Sequence, residues 1–447
     1  MADPEVLVIG GGPAGLAAAI EVGRSGYSVC VVEQRDTLGG AIYRQPIKGV
    51  EPMAQGAAPL ARWRALSEAF RHAAIPVRFN SVCVGVDGDG LVLVEDRNAR
   101  RIEQVKAKAV IIATGAVERV LPRPGWQMAG VATAGGLQVR MKETGRAPEG
   151  RVLLAGSGPL LVAVAAQMAR LGNPPVAIVE AGDPFRRVRS GLAMLGHLPF
   201  LKEAGGYLVG TFLKRVPWIR GATLVAIERE GRSLKATIRR RCGQLQRLDV
   251  DRIGLHDGIR PNSFGFPMQA SSPAIGPLIL HAGDCREALG ALAASDDGQR
   301  AGRAVAGLLS GRPKSRGLDR TIDRARAAQA TLAALFAPVD ATSPFAQLPD
   351  ETVLCRCEGK TVGELRQLCQ RKDRLSGREV KHNGRFAMGS CQGRFCADNT
   401  AALMAEINPD IAPPSAEDLT GRRWPIRPIS IATLTGVITT NTDANKD

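Results

Sequence analysis

Apolar positions along this chain come in short runs between glycine-rich turns. Val6-Leu-Val-Ile9 is followed by Gly10-Gly-Gly12-Pro13-Ala14-Gly15 and then by an Ala-rich stretch from Leu16 to about Ser25. A four-residue apolar run ending in glycines predicts a buried strand, a tight turn and a helix. Tyr27–Val32 reads as the next strand, with Glu33 at its end. Val110–Ala113 leads into Thr114-Gly115, and Leu278–Ala282 leads into Gly283-Asp284; both read as buried strands. A helix is predicted from about Leu289 to Leu309. A second strand–turn–helix unit starts at Arg151-Val-Leu-Leu-Ala-Gly156-Ser-Gly158, and Val176–Glu180 follows as its next strand. Strands that alternate with helices predict an α/β fold on parallel sheets. Beyond residue 310 the pattern turns helical. Ala325–Ala334 is Ala-rich, and Thr361–Cys369 reads as a short helix capped by Thr361 with Glu364 three residues on.

Gly10, Gly12 and Gly15 form G-x-G-x-x-G in the context that gives the motif meaning. Gly10 permits the turn, Gly12 lets the backbone approach a pyrophosphate, and Gly15 lets the helix pack close to the strand. Pro13 and Ala14 open the helix, whose N-terminal N–H groups point at the phosphates. Glu33 lies about 20 residues further on, where a carboxylate can hold ribose hydroxyls. Gly39-Gly40 just after the second strand can bring backbone near a cofactor, a device that FAD folds use and NAD-only folds do not need. Ala113-Thr114-Gly115 and Gly283-Asp284 end two further strands, with Asp284 placed to bond a ribityl chain and the following helix aimed at a flavin ring. Three separated pieces thus converge on one FAD.

The second unit lies between the two halves of this FAD fold, where an NAD(P)H domain is expected. Its fingerprint is incomplete, because Leu161 stands where a third Gly or Ala is usual. Arg186 or Arg187 after Glu180 could meet a phosphate, although a loop arginine is more often simply solvated. The reading is a retained fold with a weakened nucleotide site. No cysteine pair stands near Gly39-Gly40, which argues against disulfide-reductase chemistry.

Composition narrows the class. At 447 residues, two or three domains are expected. The net charge of +16 raises nucleic-acid binding, but the basic residues are scattered and only 3 Tyr and 4 Trp are available for stacking. An acidic partner or an anionic cofactor accounts better for the charge. No secretory signal is read at the N-terminus, and no apolar stretch reaches the roughly 18–20 residues of a transmembrane helix. Of 9 cysteines, Cys30, Cys83, Cys242 and Cys285 stand alone. This is no disulfide framework and suits a reducing cytoplasm.

The remaining cysteines cluster late. Cys355-Arg-Cys357 precedes Cys391-Gln-Gly-Arg-Phe-Cys396, with Cys369 between them. Four thiolates are the ligand set of a [2Fe-2S] cluster, and short loops containing Gly can turn backbone N–H groups toward the sulfurs. A structural zinc site is the competing reading, although its usual C-x-x-C knuckle is absent. Cys369 reads as a small core residue.

Gly39-Gly40-Ala-Ile-Tyr43-Arg44-Gln45, Ala113-Thr-Gly115-Ala-Val-Glu118-Arg119, Pro124-Gly-Trp126, Thr133-Ala-Gly-Gly-Leu-Gln138 and Cys391-Gln-Gly-Arg-Phe-Cys396 follow one another in that order. Together they resemble the family that contains the A subunits of octopine and nopaline dehydrogenases, a flavin subunit of hydrogen cyanide synthase, and the α subunits of proline and D-hydroxyproline dehydrogenases. The resemblance runs to about Asn408. Leu255-His-Asp257-Gly-Ile-Arg260-Pro-Asn262 departs from the Gly-rich, Val-containing version of that stretch. The resemblance implies an FAD-dependent subunit of a heteromeric dehydrogenase acting on an opine, an amino acid or an imino acid. A partner flavoprotein similar to D-amino-acid oxidases would oxidise the amine. A small third subunit, an FMN at the subunit interface and a downstream, even membrane-linked, electron acceptor belong to the same implication. It puts Tyr43 and Arg44, next to Gly40, in a cofactor or interface region and assigns no catalytic residue here.

The expected architecture is therefore an α/β flavoprotein with two dinucleotide-binding folds and a small, mainly helical [2Fe-2S] domain. The FAD fold takes 1–118 and 251–310, and the NAD(P)-like insertion takes 119–250. A helical connector covers 311–350, a BFD-like cluster domain 351–412 and an extended tail 413–447. Three functions follow: an electron-transfer subunit of an amine or amino-acid dehydrogenase, a self-sufficient NAD(P)H reductase, and a non-catalytic assembly or sensor protein. The incomplete second fingerprint disfavours the second.

Overall fold

The computed structural model describes residues 3–87, 90–197, 201, 205–207, 211, 214–267, 277–312, 319–340, 342–371, 375–410, 414–421 and 425–436. Five strands form the first sheet in the order Leu278–His281, Ala109–Ile112, Val6–Ile9, Val29–Val32, Val77–Arg78, and every pairing is parallel. The apolar runs read from the sequence are its central strands, and all four residues of 6–9, 29–32 and 109–112 are buried. Strands covered on both faces carry such runs because neither face meets water. The helices Pro13–Arg24 and Ala291–Leu309 cover one face together. Their contact is glycine-dependent: a Cβ on Gly298 would lie 2.1 Å from the Ala14 carbonyl oxygen. A three-stranded antiparallel sheet, Ser81–Val86, Leu91–Asp96 and Arg101–Lys106, covers the other face.

The second sheet is also parallel, in the order Trp218–Arg220, Ala177–Glu180, Val152–Gly156, Arg252–His256, Val131–Thr133. It carries its own antiparallel sheet of Thr223–Glu230, Ser233–Arg239 and Leu245–Val250. The boundary expected at 251 is corrected here. Arg252–His256 pairs with the fingerprint strand Val152–Gly156 and belongs to the insertion. The chain crosses back at Ile259–Pro261, which pairs antiparallel with Ala116–Glu118.

The helix Asp319–Leu335 fills the expected connector. The cysteine-bearing unit follows, with helices Val362–Cys369, Gly377–Gly384, Ala397–Ile407 and Ala416–Thr420. Thr361 and Glu364 make the predicted capping box. The unit overruns its expected limits, since its core takes in Phe345 and Leu348 before 351 and Leu419 after 412. The tail is not simply extended. Ser415 and Asp418 form another capping box, and Ser430 caps a helix over Ile431–Thr435. Between them Ile426 is buried and donates its N–H to the Val84 carbonyl at 2.8 Å, so the tail packs on the first domain. Trp424 and residues 437–447 lie outside the described residues. Among the described residues no helix is long and apolar enough to cross a membrane.

Candidate functional site

The C-terminal ends of the first sheet open into a cleft of about 700 Å³. This is where an open parallel sheet places a ligand. Gly10, Gly12, Pro13, Ala14, Glu33, Gly40, Arg44, Ala113, Thr114, Gly115 and Asp284 all line it. Gly15, Gly283 and Tyr43 do not. Gly15 acts one layer behind, because a Cβ there would sit 1.8 Å from the Gly10 carbonyl oxygen. Gly283 likewise packs against Ala14. Tyr43, expected in the cofactor or interface region, is buried beside the cleft and stacks on Trp63 with ring centroids 5.2 Å apart.

The fingerprint loop is pinned by the acid that the motif predicts. Glu33 accepts from the Gly11 N–H at 2.8 Å and from the Arg35 N–H at 3.0 Å, and burial raises its carboxyl pKa. Gly12 and Gly40 face each other across the turn, a Cβ on Gly40 meeting the Gly12 Cα at 3.1 Å. Asp284 spends Oδ1 on the N–H groups of Leu289 (3.0 Å) and Gly290 (2.8 Å), ahead of the helix that begins at Ala291. Burial raises its pKa. Arg44 is buried beside Glu143, with Nε to Oε1 at 3.6 Å, and burial lowers its pKa. The cleft therefore offers the backbone of the glycine loop together with the Glu33 carboxylate and the neighbouring Arg35 and Arg44 guanidinium groups. These features fit a dinucleotide.

Two residues outside the predicted site set shape this cleft. Lys142 donates to the Ala41 carbonyl at 3.2 Å and the Ile42 carbonyl at 2.8 Å, holding the turn after Gly40; burial pushes its pKa down to about 8. Glu118 lines the cleft and bonds His256 Nδ1 at 2.8 Å and the Gly135 N–H at 2.9 Å. No motif marks Lys142, whereas Glu118 stands inside a segment that carries the family resemblance.

In the second unit Glu180 is fully buried and accepts from the N–H groups of Gly158 and Gly182 at 3.1–3.3 Å. Burial raises its pKa to about 8. A carboxyl protonated more tightly in the folded than in the unfolded chain costs stability as pH rises from the unfolded to the folded value. Wild type should accordingly lose stability relative to Glu180→Gln between about pH 4.5 and pH 8, by at most a few kcal/mol. Paired thermal midpoints across that range check this, and parallel curves would refute it.

The four late cysteines come as two neighbouring pairs. Cys355 and Cys396 are buried and hydrogen-bonded to each other; that bond, with backbone N–H groups, holds the Cys355 thiol low, and the same bond with burial pushes Cys396 up. Cys357 is exposed and bonds half-buried Cys391. Gly389 permits the two loops to meet, since a Cβ there would lie 2.2 Å from that of Cys357. Among the described residues no three His, Cys, Asp or Glu side chains converge as a single ion requires. Cys369 packs in the core, and burial pushes its thiol up to about 11.

The loop between Cys391 and Cys396 reaches the strand beside the cleft. Arg260, in the strand that pairs with Ala116–Glu118, meets Asp398 Oδ2 at 2.5 Å and donates to the Arg394 carbonyl between Cys391 and Cys396. Its neighbours Ile259 and Asn262 line the cleft. Trp126 Nε1 donates to the Val353 carbonyl at 2.6 Å, and Asn399 Nδ2 to the Val120 carbonyl at 3.0 Å.

Comparison with known proteins agrees with this geometry. Residues 4–274 match the family described as pyridine nucleotide-disulphide oxidoreductase. The chain is 31% identical to the opine oxidase A subunit of Agrobacterium tumefaciens, over 96% of this chain and 91% of the relative. It is 30% identical to the HcnB subunit of hydrogen cyanide synthase from Pseudomonas aeruginosa, over 87% and 90%. Its fold is similar to that of L-proline dehydrogenase from P. horikoshii, with a TM-score of 0.64 at 18% identity, over 96% of this chain and 79% of that one.

Proposed function

The chain belongs to the pyridine nucleotide-disulphide oxidoreductase family, in the group that contains the opine oxidase A subunit and HcnB, and from that premise we propose that it is the electron-transferring FAD and [2Fe-2S] subunit of a heteromeric amine or amino-acid dehydrogenase. The observation that carries the reading is the contact of Arg260, flanked by the cleft-lining Ile259 and Asn262, with the Arg394 carbonyl in the loop between Cys391 and Cys396 and with Asp398. FAD supplies a two-electron acceptor and the cluster a one-electron carrier when bound. The chain's own residues do the rest. Gly10–Ala14 present backbone to the pyrophosphate, Glu33 fixes the fingerprint loop, and Asp284 orders the turn ahead of the helix facing the flavin. Cys355, Cys357, Cys391 and Cys396 would hold the irons.

Substrate oxidation is assigned to a partner flavoprotein, the first relatives being themselves named as subunits. No arginine–tyrosine or histidine clamp for an amino acid is set over the cleft among the described residues. An FMN at the interface, a small third subunit, a downstream acceptor and a cytoplasmic site of action belong to the same reading. The test is dye reduction by the purified chain alone and then with its partner, using opines, proline, hydroxyproline and glycine. Turnover should require the partner, and full turnover by the single chain would overturn the assignment.

The cluster is tested separately. Cys391→Ser should lose most iron and acid-labile sulfide, because an iron is left short of a ligand, while the flavin stays. Cys369→Ser should keep both. Stoichiometric zinc without sulfide in wild type would refute the cluster.

A further inference from the structure

The second dinucleotide fold has a crevice of its own, and the chain runs through it. After the helix Asp319–Leu335 the backbone turns at Phe336 and crosses the fingerprint loop. The hydroxyl of Ser157, between the two fingerprint glycines, donates to the Phe336 carbonyl at 2.7 Å. Gly182, just past the acidic end of the second strand, forms an antiparallel bridge with Pro338. The Val339 N–H donates to the Ala181 carbonyl at 2.9 Å. Arg187, the loop arginine that could have met a phosphate, donates instead to the carbonyls of Ala337 (3.2 Å) and Pro338 (3.4 Å).

These are the groups a nucleotide would need. A dinucleotide lays its pyrophosphate over the glycine loop and its ribose against the acid ending the second strand. Here Ser157 is spent on a peptide carbonyl, and Gly158 and Gly182 direct their N–H groups into Glu180. Gly182 also admits the peptide sterically, since a Cβ there would lie 2.5 Å from the Phe336 carbonyl oxygen. Leu161 is wholly buried where a third glycine would bring helix and strand together.

We propose that this crevice is a binding site for an extended peptide, Phe336–Val339 of the same chain, and that it anchors the linker of the cysteine unit in place of a nicotinamide nucleotide. The linker leads directly into that unit, whose core begins at Phe345 and Leu348. A hydroxyl, a guanidinium and a strand-type bridge read the peptide's backbone, so the site selects an extended segment presenting carbonyls rather than a particular side chain. The inference goes beyond the electron-transfer reading and does not need the identity of either cofactor.

Hydrogen exchange on the full-length, flavin-loaded protein tests it. Peptides covering 336–340 should exchange at least about tenfold faster in Gly182→Val than in wild type, with those covering 6–32 unchanged. Arg187→Ala, which changes no packed position, should show a smaller rise in the same peptides and decides the matter if Gly182→Val does not fold. Equilibrium dialysis of wild type against NADH and NADPH in the millimolar range should give no saturable binding at this domain. Saturable binding that Ser157→Ala weakens, or unchanged exchange at 336–340 in the folded variants, would overturn the proposal.

Discussion

Gly12→Val should yield a folded protein without flavin. A Cβ at Gly12 has a single neighbour, the Gly40 Cα at 3.7 Å, and the Gly12 backbone (φ −83°, ψ −178°) suits any residue. The valine therefore fits the protein but stands in the cleft, between the fingerprint loop and the pyrophosphate it is read to bind. Losing two charge-assisted hydrogen bonds of about 1.5–3 kcal/mol each would weaken flavin binding on the order of 10²–10⁴-fold. Gly15→Val makes the opposite case. Its Cβ would sit 1.8 Å from the Gly10 carbonyl oxygen, so helix and strand must part and the domain itself should fail. Flavin absorbance and far-UV circular dichroism separate the two outcomes. A Gly12→Val protein that kept its flavin would mean that the cofactor does not lie on this loop.

That contrast shows what kind of information the sequence holds. Gly12 and Gly15 are both legible because each answers a local requirement, one for approach and one for packing, at a fixed offset from an apolar strand. Glu33 is legible for the same reason. The stacking of Tyr43 on Trp63 is not legible, because the two rings meet only once the chain between residues 43 and 63 has folded. The boundary at 251 misleads because Arg252–His256 is placed only by pairing with Val152–Gly156, about a hundred residues earlier. The tail does carry a local signal for its helix, Ser415 three residues ahead of Asp418. Phe336–Val339 carries none, since carbonyls and N–H groups do the binding and every sequence has those.

Asp257→Ala should destabilise the junction between the domains by about 3–5 kcal/mol, the cost of leaving one member of a buried ion pair alone. Asp257 Oδ2 accepts from Arg123 at 2.5 Å and from the Leu121 N–H at 2.8 Å, and both side chains of the pair are 9% exposed. The carboxylate thus fixes the segment that leaves the first domain. On that segment the cysteine unit docks, through Asn399 to the Val120 carbonyl, Trp126 to the Val353 carbonyl, and Leu121 against its core. Removal of Asp257 should therefore loosen two interfaces together. Hydrogen exchange should rise in 119–126 and in the peptides that meet them, around 351–356 and 395–400, while the fingerprint loop stays protected. Replacing both members, Arg123→Met with Asp257→Leu, should restore most of the stability, because no buried charge is then left without a partner. The single variant unfolding within about 0.5 kcal/mol of wild type would show that solvent reaches Arg123 and that the pair does not hold the junction.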